Sequence, residues 1–274
     1  VCDVSTLGKI DVQGPDAGRF LDRLYANTIS TLAVGRVRYG LMLREDGFVM
    51  DDGTVARLAG DRHLVTTTTA NAVQVYQHMH FCHQVLWPDL DVQFVSVTDQ
   101  WAQFSVAGPR SRELLQRVVH ADCDLSNAAF PYMACGDVRL VAATRARLFR
   151  ISFSGELAYE IAVPAGRGDA LVRSLFAAGA DLGVTAYGLE ALNVLRIEKG
   201  HCTGNELNGQ TTAADLGLGR MVAAQKDCIG GVLSRRAALL DPARPRLVGI
   251  RARAPQATLA GGMHLLAEGA PHDA

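Results

Sequence analysis

Two stretches of the chain share one pattern of apolar and polar positions. Residues 9–24 read KIDVQGPDAGRFLDRL and residues 103–118 read QFSVAGPRSRELLQRV. In each, alternation with period two predicts a strand, and a helix follows with an apolar pair, Phe20/Leu21 or Leu114/Leu115. Gly14-Pro15 and Gly108-Pro109 mark the junctions, where proline is pre-organised for a first helical turn. The recurrence predicts a duplicated strand–helix–strand unit, hence a pseudo-symmetric α+β core; a chance likeness of a common turn is the alternative.

Between the copies the pattern predicts strands near 37–43, 48–58 and 63–68. Glu45-Asp46-Gly47 forms the hairpin turn between the first two. A helix is expected over about 71–86, then strands near 92–97 and 102–106. After the second copy come strands near 138–141, 146–153 and 157–163, with helices near 169–178 and 189–197. Arg244-Pro245 opens a further strand at 247–252, and the sequence then turns Gly-rich. The expected boundary lies near 240, with 1–240 as the main domain and 241–274 as the incomplete start of a small β domain.

Composition narrows the function classes. A chain of 274 residues, 49% hydrophobic, is long enough for a real core, and a net charge of -1 removes the case for disorder. No basic surplus exists to neutralise phosphates, so nucleic acid is not expected as a partner. No apolar run approaches the ~18 residues of a membrane span. Six widely spaced cysteines without a Cys-x-x-Cys pair argue against a disulfide framework or structural zinc, and for a reducing cytoplasm. Residue 1 is Val with no leader pattern after it, so the expectation is a piece of a longer protein.

Several groupings carry candidate chemistry. Asp51-Asp52-Gly53-Thr54 falls on a strand, where adjacent aspartates point to opposite faces. Asp52 would share its face with Phe48, Met50 and Thr54, a partly desolvated setting that raises a carboxylate pKa; a solvated turn is the other reading. In Ser154-Gly155-Glu156-Leu157-Ala158-Tyr159-Glu160, Glu160 lies between two alanines, with room for a flat ligand whose paired N–H groups a carboxylate accepts. An exposed strand glutamate is the bland alternative. The run Thr66–Thr69 suits a strand whose hydroxyls cap the following helix. His78, His80, Cys82 and His83 have helical spacing, but the two pairs diverge around the helix and no carboxylate is nearby, so no metal site is expected. Arg196 to His201 reads as a helix end capped by Gly200. Dinucleotide, P-loop, zincin and serine-hydrolase motifs do not occur.

The stretches DVSTLGKIDVQGPDA, RYGLMLREDGFVMDDGT, TTTTANA, SVAGPRSRELL, FRISFSGELAYEI, LRIEKGH and TTAADLGLGRMV, in that order, resemble the aminomethyltransferase (glycine-cleavage T-protein) family. Within it they are most similar to the folate-binding part of the α subunits of heterotetrameric sarcosine oxidases, from about Cys2 to Arg251. The resemblance implies an α+β tetrahydrofolate-binding fold with a duplicated ferredoxin-like core and a truncated C-terminal β domain. It implies a catalytic acid at Asp52 near folate N10, a hydroxyl at Thr54, a pterin contact at Thr68 and an acid gripping the pterin edge at Glu160. Phe153 stands at an aromatic position that is often Tyr in relatives. Leu192 replaces an arginine of the transferases, a departure that points to the oxidase branch.

The activity so implied is oxidative demethylation of sarcosine to glycine, with capture of the carbon as 5,10-methylenetetrahydrofolate. Flavin and NAD are expected only on other regions or subunits, and a flavin-bearing β subunit and small subunits are the implied partners. The alternatives are a stand-alone aminomethyltransferase or a non-catalytic folate-binding module. The module's Lys-Gly-Cys-Tyr signature is broken here, because Cys202 falls one position late, after His201.

Overall fold

The computed structural model describes residues 1–254, 256–264 and 266. The chain begins with β1 (Cys2–Asp3), β2 (Gly8–Gln13), α1 (Ala17–Leu24), β3 (Arg36–Leu43), β4 (Val49–Ala59), β5 (Arg62–Thr67), α2 (Ala72–Phe81) and β6 (Gln93–Ser96). It continues through β7 (Trp101–Ala107), α3 (Ser111–Val118), β8 (Cys135–Arg139), β9 (Arg145–Phe149), β10 (Ala158–Pro164), α4 (Gly168–Ala178), α5 (Leu189–Lys199) and the short α6 (Ala237–Leu240).

The strands form two antiparallel five-stranded sheets. The first runs β3-β4-β5-β2-β6 and the second β8-β9-β10-β7-β1, so the two orders correspond position for position. The sequence repeat is therefore a structural one. Gly14 and Gly108, with φ of +132° and +123°, make the same turn from strand into helix. One position differs in origin: the last strand of the second sheet is β1, supplied from the start of the chain.

Four layers result. Phe20 and Leu21 of α1 and Val75 and Met79 of α2 pack on Ile10, Val12, Val55 and Val65, on the outer face of the first sheet. Leu115 of α3 and Leu171 and Leu175 of α4 cover Val106, Leu148 and Ile161 of the second sheet. The inner faces meet through Val37, Ala56 and Leu64 on one side and Cys135, Phe149 and Ala162 on the other. Removing these surfaces from water is the main force holding the layers together.

Beyond α4 regular structure thins. Cys202, Leu207, Ala213 and Leu216 pack against Ala26, Leu41, Leu43 and Val49 at the β3 edge of the first sheet. As expected, α5 ends at Gly200, whose φ of +83° lets its N–H reach the Arg196 and Ile197 carbonyls. The strand expected at 247–252 is not formed. Leu247 donates its N–H to the Asp215 carbonyl, and no described strand lies alongside to pair with the segment. The rest of the expected β domain lies partly outside the described residues. Among the described residues no helix is long and apolar enough to cross a membrane.

Candidate functional site

The acidic pair sits where β4 is irregular. Its ladder with β3 pairs Asp52 with Leu41 and Asp51 with Met42, but the next pair is Leu43 with Val49, so Met50 is an extra residue. This bulge resets the faces. Met50 packs with Val55 and Val65 in the outer core, and Val49 joins Leu41 and Leu43. The expected grouping of Asp52 with Phe48 and Met50 is therefore corrected. Beyond the bulge the alternation holds: Asp52, Thr54 and Ala56 share the inner face, and Asp51 and Val55 face the helices.

Asp52 accepts a hydrogen bond from the Tyr39 hydroxyl at 2.6 Å. Burial raises its carboxyl above the usual range, while Tyr39 and the nearby His201 pull in the opposite direction. Burial, together with Asp52, raises the Tyr39 phenol in turn. His201 packs against the predicted aromatic residue, Phe153. Its ring stacks on Phe153 with centroids 5.7 Å apart, and its Nδ1 donates to the Phe153 carbonyl at 2.7 Å. Tyr39 and His201 were not singled out as functional in the sequence: one was an ordinary strand tyrosine, the other the tail of a helix cap.

Glu160 occupies the inner face of the second sheet. It stands opposite Ser105 on β7 and Phe149 on β9, with Ala158 and Ala162 as same-face neighbours. At 8% exposure it is buried, which rules out the exposed reading. Gln103 donates its side-chain amide to the carboxylate. Burial raises the Glu160 pKa, opposed by Gln103 and by the charge of Lys9. Lys9 belongs to β2 of the opposite sheet, where its ammonium donates to the Ser5 and Leu7 carbonyls, both at 2.9 Å. Burial lowers its pKa to about 8, with Glu160 the largest opposing influence.

A polar row on the first sheet joins the two acids' surroundings. Tyr39 pairs with Thr54 across β3–β4, the Thr54 and Thr66 hydroxyls meet at 2.6 Å, and Thr66 pairs with Lys9 across β5–β2. The row therefore runs from Tyr39, bound to Asp52, to Lys9, whose charge Glu160 feels.

Thr68 belongs to a neighbouring group. Its hydroxyl donates to Asp51 at 2.6 Å, and the Asn71 amide reaches the same carboxylate at 3.0 Å. Burial is the main reason that Asp51 is raised to about 6. The expectation that the threonines cap α2 is corrected, because Asn71 occupies the cap and no side-chain bond closes it. The hydroxyls serve β4 and the loops instead, Thr69 meeting Thr6 at 3.2 Å. The structure thus places His201 against Phe153, ties Thr54 to Thr66, and ties Thr68 to Asp51.

Cys82 and His78 approach within 3.5 Å, but burial raises the thiol to about 12. Among the described residues no three metal-ligating side chains converge. All six cysteines are free.

Comparison with known proteins agrees with the fold. The chain is 54% identical over 272 residues to the sarcosine oxidase subunit alpha of Rhizobium meliloti, matching 98% of this chain and 27% of that one. It therefore spans about a quarter of that relative's length. An aminomethyltransferase of Streptomyces avermitilis is 33% identical over 264 residues, 94% of this chain and 68% of the relative. The crystal structure of the glycine cleavage system aminomethyltransferase T from Bartonella henselae superimposes with a TM-score of 0.72 at 26% identity. That match covers 85% of this chain and 61% of that structure. Residues 1–226 match the model of the GCVT N-terminal domain, and the chain belongs to that family.

Proposed function

We propose that this chain is the tetrahydrofolate-binding, one-carbon-capturing part of a sarcosine oxidase α subunit. The observation that carries the reading is the placement of two acids, half-buried Asp52 and buried Glu160, on the facing inner surfaces of the duplicated sheets, joined by the row from Tyr39 to Lys9. The donor set suits the ligand. A reduced pterin presents paired N–H groups at its pyrimidine edge, and Glu160 is a nearly dry carboxylate flanked on its face by two small side chains, Ala158 and Ala162.

When bound, tetrahydrofolate supplies two amine nitrogens, N5 and N10, which accept a carbon at the formaldehyde level to give 5,10-methylenetetrahydrofolate. The protein's part is to bind, orient and manage charge. Glu160 holds the pterin edge, and Phe153, backed by His201, offers a flat apolar face. Asp52 is the catalytic acid: its raised pKa lets the carboxyl carry a proton closer to neutrality, and when ionised it steadies an adjacent cation. Thr54 lies on the inner face beside Asp52, bonded to Thr66, and Thr68, held by its bond to Asp51, supplies a pterin contact from the neighbouring loop. Oxidation of the N-methyl group belongs to a flavin-bearing partner subunit, in a cytoplasmic hetero-oligomer whose NAD site lies on another region.

The test uses the assembled oxidase. Asp52→Ala is expected to lower methylenetetrahydrofolate formation about 100-fold, within the range of a lost general acid–base group. Sarcosine oxidation continues and the carbon leaves as formaldehyde. Unchanged capture with unchanged folate affinity removes the role given to Asp52.

A further inference from the structure

Gln103 is 1% exposed and lies on the inner face of β7, in the cross-strand row adjoining that of Glu160. Its amide turns the NH2 to Glu160, the orientation that the ionised carboxylate, an acceptor only, requires. The carbonyl oxygen of the same amide, Oε1, is buried and has no hydrogen-bond partner. Leaving a buried acceptor unpaired is costly, and native interiors rarely do so. The two sides of this amide thus differ: one braces Glu160, and the other is an acceptor awaiting a donor. The neighbouring cation does not meet the need, because the recorded bonds of Lys9 Nζ go to Ser5 and Leu7.

We infer that Gln103 is a binding residue of the site, with Oε1 accepting the second hydrogen of a ligand's exocyclic amino group while Glu160 takes the first hydrogen and the adjacent ring N–H. The inference rests on the folate reading above and adds to it. A carboxylate satisfies two donors of a 2-amino-4-oxopyrimidine edge and leaves the third, and Gln103 supplies the missing acceptor. The site then selects rings that carry a free amino group at that position.

The experiment measures binding of tetrahydrofolate, under anaerobic conditions, to the assembled oxidase and its Gln103→Met variant. A matched analogue with a 2-methyl group in place of the 2-amino group is measured alongside. Gln103→Met is expected to weaken tetrahydrofolate about tenfold and the 2-methyl analogue less than about twofold, since a contact already lost cannot be lost again. Gln103→Leu, which likewise removes the acceptor, is expected to give the same pattern and serves if the methionine variant does not assemble. Equal weakening of both ligands, or of neither, overturns the role of Gln103 while the folate site stands. Absence of tetrahydrofolate binding by the wild-type enzyme overturns the reading on which it rests.

Discussion

The two halves of the molecule share one strand order and diverge in what surrounds the shared turn. In the first half, a Cβ on Gly14 would meet the Asp91 carbonyl oxygen at 2.3 Å; in the second, a Cβ on Gly108 would meet nothing within 4 Å. Both glycines adopt positive φ, so both resist substitution on conformational grounds. Only Gly14 is also walled in by backbone. The first half closes its sheet with β6 from its own sequence, whereas the second borrows β1. Duplication therefore preserved the frame and left each copy free to specialise. One contributes Asp52 from a long, bulged β4; the other contributes Glu160 from β10.

That comparison can be broken most directly at the glycines. Gly14→Ala is expected to destabilise by more than about 3 kcal/mol, combining strain with a backbone clash, and Gly108→Ala by about 1–2 kcal/mol from strain alone. Urea unfolding of both variants checks this, and equal losses would mean that the two turns are not distinguished by their surroundings. Asp51 comes next. Its folded pKa of about 6 lies above the unfolded value, so the folded state holds the proton more tightly. Its contribution is greatest below the unfolded pKa, declines as pH rises toward 6, and is absent above that. Stability relative to Asp51→Asn should fall by up to about 3 kcal/mol across that window, by urea unfolding at several pH values.

Smaller effects sharpen the contrast between the inner faces. Thr66→Val removes the hydroxyl that bonds Thr54 and is expected to cost about 1–2 kcal/mol in thermal or urea unfolding. Smallest of all is a reversal of charge at matching helix starts. The first half pairs Asp16 with Arg19, and the second pairs Arg110 with Glu113 at the same two offsets from the glycine. Only Asp16 also accepts a backbone bond, from the Asp91 N–H. Asp16→Ala should therefore lower the melting temperature more than Glu113→Ala, although both changes are slight.

Much of this architecture was legible beforehand because it rests on local periodicity. The paired strand–Gly-Pro–helix units, the hairpin at Gly47 and the faces of Tyr159 and Glu160 all follow from alternation and turn chemistry. The bulge at Met50 was not legible, since one additional residue leaves no mark on composition yet reverses the faces before it. The threonines misled for a related reason: strand hydroxyls and cap hydroxyls look alike in sequence, and only Asp51 and Thr54 decide their partners. Gln103 and Tyr39 reach the acids across strands, and His201 reaches Phe153 from far along the chain, distances that no short window contains.

The borrowed strand has a consequence for how the molecule is made. Cys2 and Asp3 must wait for Ser105 and Phe104, their ladder partners, to leave the ribosome. At about 5–20 residues per second that delay is roughly 5–20 s, by the end of which the first sheet has every one of its own strands at hand. The second sheet gains its last edge only by reaching back past the whole of the first, so a strand made ahead of both sheets is among the last to be placed.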